Sequence, residues 1–402
     1  MGMGFVVLTF CVVLGLAPMT TLAAGAERAV TESEVRIGQW APQTGPAAIT
    51  GIGARGTGCY FDMINGQGGI HGRQIRYFLR DDAYQPPKTK AVVKELVEKE
   101  GVFAFVGGVG TACGMAVKDY LDDNRVPWVG PTSGSSHWVY PASKYRFGVF
   151  PLYFDEASAL VSYAVKNLGK TRIAFFYQND DYGKEALTGA EMALEKLGSK
   201  LVARVSYELA DTDLTPHALQ LKQADPDCVI MWVVPKHGAV MLGTAAKLGF
   251  HPQWMASSTL GDYPLMMEIT KGLVKGMIVT SFMELPDSEH PLMVRYRKAQ
   301  EAYAPTERWG VMFSSGFLFA EPLVEALRRA GRDLTVEKLV KALESLDNFK
   351  GIGPEITYGP DRRQGTRSVH LVRVGEDGTG ERITDWIASE IDAQEAVNRV
   401  RR

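Results

Sequence analysis

Hydrophobic positions along the first third of the chain switch between two periods. Short apolar or alternating runs at 35–40, 74–80, 103–107 and 126–129 read as strands, while 53–65, 86–99 and 114–123 carry apolar residues at helical spacing. Pro87 suits the first turn of its helix, where a missing N–H costs nothing. Asn65-Gly66 and Gly68-Gly69 end the first helix as a turn. The pattern is βαβαβ, which predicts a parallel sheet with helices on both faces.

A second series begins near residue 155. Helices are predicted at 156–167, 185–197, 216–223 and 239–248, alternating with strands at 171–177, 200–207, 228–233 and 253–256. The chain then returns through an apolar run at 276–283 and helices at 291–303, 313–329 and 336–346. Short strands are expected at 353–358 and 369–374. The fold class implied is α/β, with two doubly wound lobes joined by several crossings.

Composition narrows the function. At 402 residues the chain exceeds one ordinary core. A net charge of −2, with no local cluster of Lys and Arg, offers no footprint for nucleic acid. The apolar stretch 4–18 is short for a membrane span, and Ala24-Gly25-Ala26 follows as a small-residue cleavage site. Residues 1–26 therefore read as a cleavable export signal, although no Lys or Arg precedes the apolar stretch. Cys11 lies within it, preceded by Phe10, which does not suit lipid attachment. Cys59, Cys113 and Cys228 remain. An oxidising compartment allows a Cys59–Cys113 bridge, but the topology puts their helices on opposite faces of the sheet.

The candidate chemistry lies in loops at strand ends. Gln178-Asn179-Asp180-Asp181-Tyr182-Gly183-Lys184 follows a buried strand and opens a helix, which places Tyr182 at a crevice. Gly107-Gly108-Val109-Gly110-Thr111 joins a strand to a helix, with Thr111 as a prospective N-cap and the loop suited to a small carboxylate. Gly130-Pro131-Thr132-Ser133-Gly134, followed by Trp138, brings hydroxyls, amides and an aromatic to the next strand end. Trp232 closes another strand, as core or as cleft wall. Gly51-Ile52-Gly53-Ala54-Arg55-Gly56 matches the dinucleotide pattern, but the loop before it is too long for the tight turn that pattern needs. The acid pairs Asp81-Asp82 and Asp180-Asp181 read as loop ends and helix caps. No nucleophile elbow, catalytic triad or paired metal spacing occurs. No enzyme activity, catalytic residue, metal or cofactor is expected.

Several of these segments, in this order and spacing, resemble those of the periplasmic substrate-binding proteins of ABC importers, of the branched-chain amino acid type. They are Thr44-Gly45-Pro46, Gly68-Gly69-Ile70-His71-Gly72, Asp81-Asp82, Phe105-Val106-Gly107 and Asn179-Asp180-Asp181-Tyr182-Gly183. The resemblance runs from Val35 to about Val374. It implies two lobes joined by three crossings, with 33–152 plus 284–357 in one lobe and 153–283 plus 358–402 in the other. It implies a ligand carboxylate held by Val109, Gly110 and Thr111 and by Thr132, Ser133 and Gly134. Tyr182, Trp138 and Trp232 would wall the apolar part, and 48–50 would form the first-helix loop.

Two departures concern the ligand amine: a threonine of the family falls at Gly134, and its acid falls near Ser258. A tyrosine position reads Val234, and the family's paired cysteines fall at Tyr84 and Gly110. The implied function is an exported, monomeric solute-binding protein of the periplasm. It would take an amino acid, or an apolar or aromatic carboxylate, to an inner-membrane permease and its ATPase. A ligand-sensing receptor domain with a separate signalling partner is the alternative.

Overall fold

The computed structural model describes residues 1, 2 and 29–401, so the expected export signal and Cys11 lie outside the described residues apart from the first two positions. The first sheet contains β1 (Glu34–Trp40), β2 (Gln74–Arg80), β3 (Ala104–Val106), β4 (Trp128–Val129) and β5 (Arg146–Phe147), in the order β2-β1-β3-β4-β5. All its pairings are parallel. The second sheet has β6 (Ile173–Gln178), β7 (Ala203–Tyr207), β8 (Cys228–Trp232), β9 (Gln253–Ala256) and β10 (Ile278–Ser281) in the equivalent order, β7-β6-β8-β9-β10. The returning chain adds β11 (Ser368–Val374) antiparallel to β10. It is followed by β12 (Gly380–Arg382) and β13 (Ile387–Ala388), both paired with β11.

Both lobes are thus wound in the same sense, and each has its switch point between its first and third strands. Strand β8 is buried along its whole length, which explains its unbroken apolar run. Asp180 caps the helix Asp181–Lys196 through its side chain, so this acid is structural. Asp81 accepts from the N–H of Gln43 and the hydroxyl of Thr44 and fixes the loop after β1.

Several boundaries differ from the expectations. The helix expected at 114–123 is broken into Thr111–Met115 and Lys118–Asp123. Thr111 is its first helical residue; the cap is Gly110, at φ 100°. A Cβ at Gly110 would lie 2.6 Å from the Tyr84 ring, so the two positions where cysteines were expected in relatives are filled here by a ring against a glycine. Segment 353–358 forms no strand and is held by a single bridge between Phe349 and Ile356. The pairing of Gly148 with Gln364 keeps the returning chain against the first sheet beyond the 357/358 crossing expected. Cys59, Cys113 and Cys228 are all buried and free.

The helices Ile52–Gly66 and Val311–Ala330 cross at backbone contact. A Cβ on Gly56 would lie 1.9 Å from the carbonyl oxygen of Phe313, and one on Gly316 would lie 2.0 Å from that of Gly53. The glycines that match a nucleotide motif therefore serve this crossing.

Candidate functional site

A cleft opens where the switch points of the two sheets face each other, the place where open α/β sheets leave a crevice. It encloses about 650 Å³ of atom-free space, of which about 70 Å³ admits the centre of a water molecule. From the first lobe come Thr50, Val109, Gly110 and Thr132, each from a loop after a strand, with Tyr84 beside them. From the second come Tyr182 after β6, Val234 after β8, and Ser258 and Thr259 after β9. Phe150, Tyr153 and Phe282 line it where the chain passes between the lobes, and Val311, Met312, Ser315 and Phe319 add one face of a helix. None of the lining side chains is charged.

The structure therefore brings Val109, Gly110, Thr132, Tyr182 and Ser258 together at the wall. It places the other expected residues behind the wall. The Thr111 hydroxyl lies 2.9 Å from that of Ser133, and the Tyr153 hydroxyl donates to Ser133 at 3.0 Å. Thr111 and Ser133 are thus occupied in a buried hydroxyl triangle that anchors Tyr153. Gly134 is no open substitute for a threonine, because a Cβ there would lie 2.1 Å from the carbonyl oxygen of Pro151. Trp138 is core, packed on Trp128 with ring centroids 5.0 Å apart, and its indole donates to the Ser133 carbonyl. Trp232 stands one layer back, against Tyr153 and Tyr182 at 5.8 and 6.0 Å. Both tryptophans were expected at strand ends, where core and cleft differ by a single layer.

Tyr182 turns its ring edge-on to Tyr153, 5.0 Å away, while its hydroxyl donates to Thr259 at 3.1 Å. Burial pushes its phenol well above the usual range, so it stays neutral. Sequence reasoning missed Phe150, Tyr153 and Phe282, which sit at lobe crossings, and the face of the helix Val311–Ala330. Met312, Ser315 and Phe319 share that face at spacings of three and four, a pattern identical to that of a core helix.

The lobes are clasped around this cleft. Asp262, in the second lobe, caps its own helix by accepting from the Leu265 N–H. It also accepts from the Met312 N–H at 2.9 Å, capping the first-lobe helix whose own cap, Gly310, has no side chain. On another edge, buried Glu185 accepts from the Ser136 N–H at 2.7 Å and from the Ser135 hydroxyl. Asp262→Ala removes a cap worth about 1 kcal/mol, which shifts an open–closed balance about fivefold. The expected result is a larger radius of gyration for the ligand-free variant in small-angle scattering; an unchanged radius would show that the clasp does not hold the lobes.

Among the described residues, no cluster of His, Cys, Asp or Glu is placed to hold a metal, and no helix is long and apolar enough to cross a membrane. The arrangement can enclose a small, largely apolar solute and offer it hydroxyls. The wall contains no acid, base or thiol to react with one.

The profile of a family described as periplasmic binding protein matches residues 34–379. The chain is 27% identical over 198 residues to Leu/Ile/Val-binding protein homolog 3 of Brucella melitensis biotype 1, a match covering 49% of this chain and about half, 54%, of that protein. It is 26% identical over 345 residues to Leu/Ile/Val-binding protein BraC3 of Rhizobium johnstonii, covering 85% of this chain and 91% of that one. Its backbone is similar to the crystal structure of a substrate-binding periplasmic protein from Ralstonia solanacearum. The TM-score is 0.81 at 27% identity, covering 87% of this chain and 100% of that one.

Proposed function

Because the chain belongs to the periplasmic binding protein family, we propose that it is the solute-binding component of an ABC importer and closes on a small carboxylate with an apolar body. The observation that carries this reading is the uncharged cleft between two clasped lobes, lined by rings and hydroxyls from the loops at both switch points. Leucine-sized and phenylalanine-sized solutes suit a wall built of Phe150, Phe282, Met312 and Phe319. The names of the curated relatives, which refer to leucine, isoleucine and valine, support the same class. The Thr132 hydroxyl is the polar group we assign to the carboxylate, in place of Thr111. The protein acts outside the cytoplasmic membrane after export, and its closed form delivers the ligand to a permease and ATPase without chemical change.

The test is a thermal melt of protein unfolded and refolded to strip any carried ligand. The panel is leucine, isoleucine, valine and phenylalanine, with the amine-free analogues of each. A ligand at a hundred times its dissociation constant should add about 2.7 kcal/mol of stability. A shift with any member supports the reading, and a flat panel overturns it.

A further inference from the structure

Two polar atoms at one point of the cleft wall have no partner. Ser258 lines the cleft, and its hydroxyl oxygen is buried without a hydrogen bond. Directly behind it stands Glu156, in the first turn of the helix Tyr153–Lys166, with no exposed surface. Its Oε2 accepts from the Ser258 N–H at 3.1 Å and from the hydroxyl of Thr280, while its Oε1 has no partner. The Ser258 hydroxyl lies near enough to favour the ionised carboxyl without being aimed onto it. Buried polar atoms are almost always paired, so an unmet pair at a ligand cleft marks where a ligand completes the set.

We propose that Ser258 and Glu156 together read a hydrogen-bond donor on the ligand, a primary amine, as a second recognition point besides the carboxylate. The inference rests on the reading of the cleft as the ligand site. A hydroxyl has one hydrogen to give and two lone pairs. Donated to Glu156 Oε1, that hydrogen leaves only lone pairs facing the cleft. The ligand then meets an acceptor backed by a carboxyl. An ammonium satisfies it, whereas a methylene leaves the hydroxyl unmet. Burial lifts the Glu156 carboxyl to about 7, and the neighbouring Asp155, itself paired with Arg367, adds repulsion. An ammonium at Ser258 brings the positive charge that this carboxyl lacks. The acid expected at position 258 has in this way moved one layer back. Ser258 touches the ligand, and Glu156 is a positioning residue acting through it.

Calorimetric titration of the mature protein with leucine and with 4-methylpentanoate, which shares its skeleton without the amine, tests this; phenylalanine and 3-phenylpropanoate form a second pair. The expected result is a preference for the amine-bearing member. Ser258→Ala and Glu156→Gln should each cut that preference by about tenfold or more, the size of one hydrogen bond to a charged group. Glutamine matches the neutral acid in shape, and melts of both variants check that they fold. Equal weakening of both members by Glu156→Gln would overturn the inference, since a structural residue acts on both alike. An unchanged ratio in Ser258→Ala, or a wild-type preference for the amine-free acid, would also overturn it while leaving the solute-binding reading intact. Binding of no member by the wild type would remove both.

Discussion

Gly316→Val is expected to lose about 3 kcal/mol or more of stability, measured as a fall in the urea midpoint at constant slope. The atom a Cβ would meet, 2.0 Å away, is the backbone oxygen of Gly53, with the Thr57 nitrogen at 2.4 Å. Backbone on both sides cannot turn aside as a side chain end could, so the helices Ile52–Gly66 and Val311–Ala330 must separate. Gly316→Ala should show most of the same loss. Gly243→Ala is the control, because a Cβ there meets nothing within 4 Å and sits within a helix. It should be neutral or stabilising by up to about 1 kcal/mol. A valine at 316 tolerated within a few tenths of a kcal/mol would show that the crossing is looser than described.

Glu321→Gln should stabilise the protein at pH 8 and leave it unchanged at pH 4. Glu321 lies in the middle of the helix Val311–Ala330, fully enclosed, with Tyr296 at 2.6 Å and the Ile352 N–H at 3.1 Å as its partners. Burial lifts its carboxyl from the ordinary 4.5 to about 7, against the opposing pull of those two hydrogen bonds. Below 4.5 the group is protonated in folded and unfolded chains alike and contributes nothing. As pH rises from 4.5 to 7 the unfolded chain ionises first, so stability falls. Above 7 the deficit is complete at about 3 kcal/mol. Glutamine can donate to Tyr296 and accept from Ile352, matching the neutral acid, and so removes the deficit. Urea midpoints across pH 4–8 check this; a gap that is constant with pH would mean that the carboxyl titrates normally.

The two lobes were legible because parallel strands buried on both faces form unbroken apolar runs, and strands of five residues or more come out nearly to the residue. β2 (Gln74–Arg80), β9 (Gln253–Ala256) and the helix Pro291–Tyr303 match the expected bounds. The two-residue strands Trp128–Val129 and Arg146–Phe147 are too short to show a period, and the second was not foreseen. The break at Ala116 and Val117, and the terminal helix Ala393–Val400, were not foreseen either.

Half of the cleft was readable for a topological reason: loops after strands next to a switch point must face it, whatever their residues. Tyr182, Thr132 and Ser258 were found in that way. The other half comes from residues whose local pattern is that of core, such as Phe319 and Met312, which become wall only because a second lobe stops short of them. Trp138 shows the converse, a strand-end aromatic drawn inward by a neighbouring tryptophan.

The Tyr84 ring resting on Gly110 has a practical consequence. With that contact made by packing, and with all three cysteines of the described residues buried as thiols, maturation of this fold includes no oxidation step. A reducing agent takes nothing from it, and no wrong pairing can trap it. The molecule can therefore be produced, refolded and stripped of ligand in the presence of thiols, and it reaches the same end state on either side of a membrane.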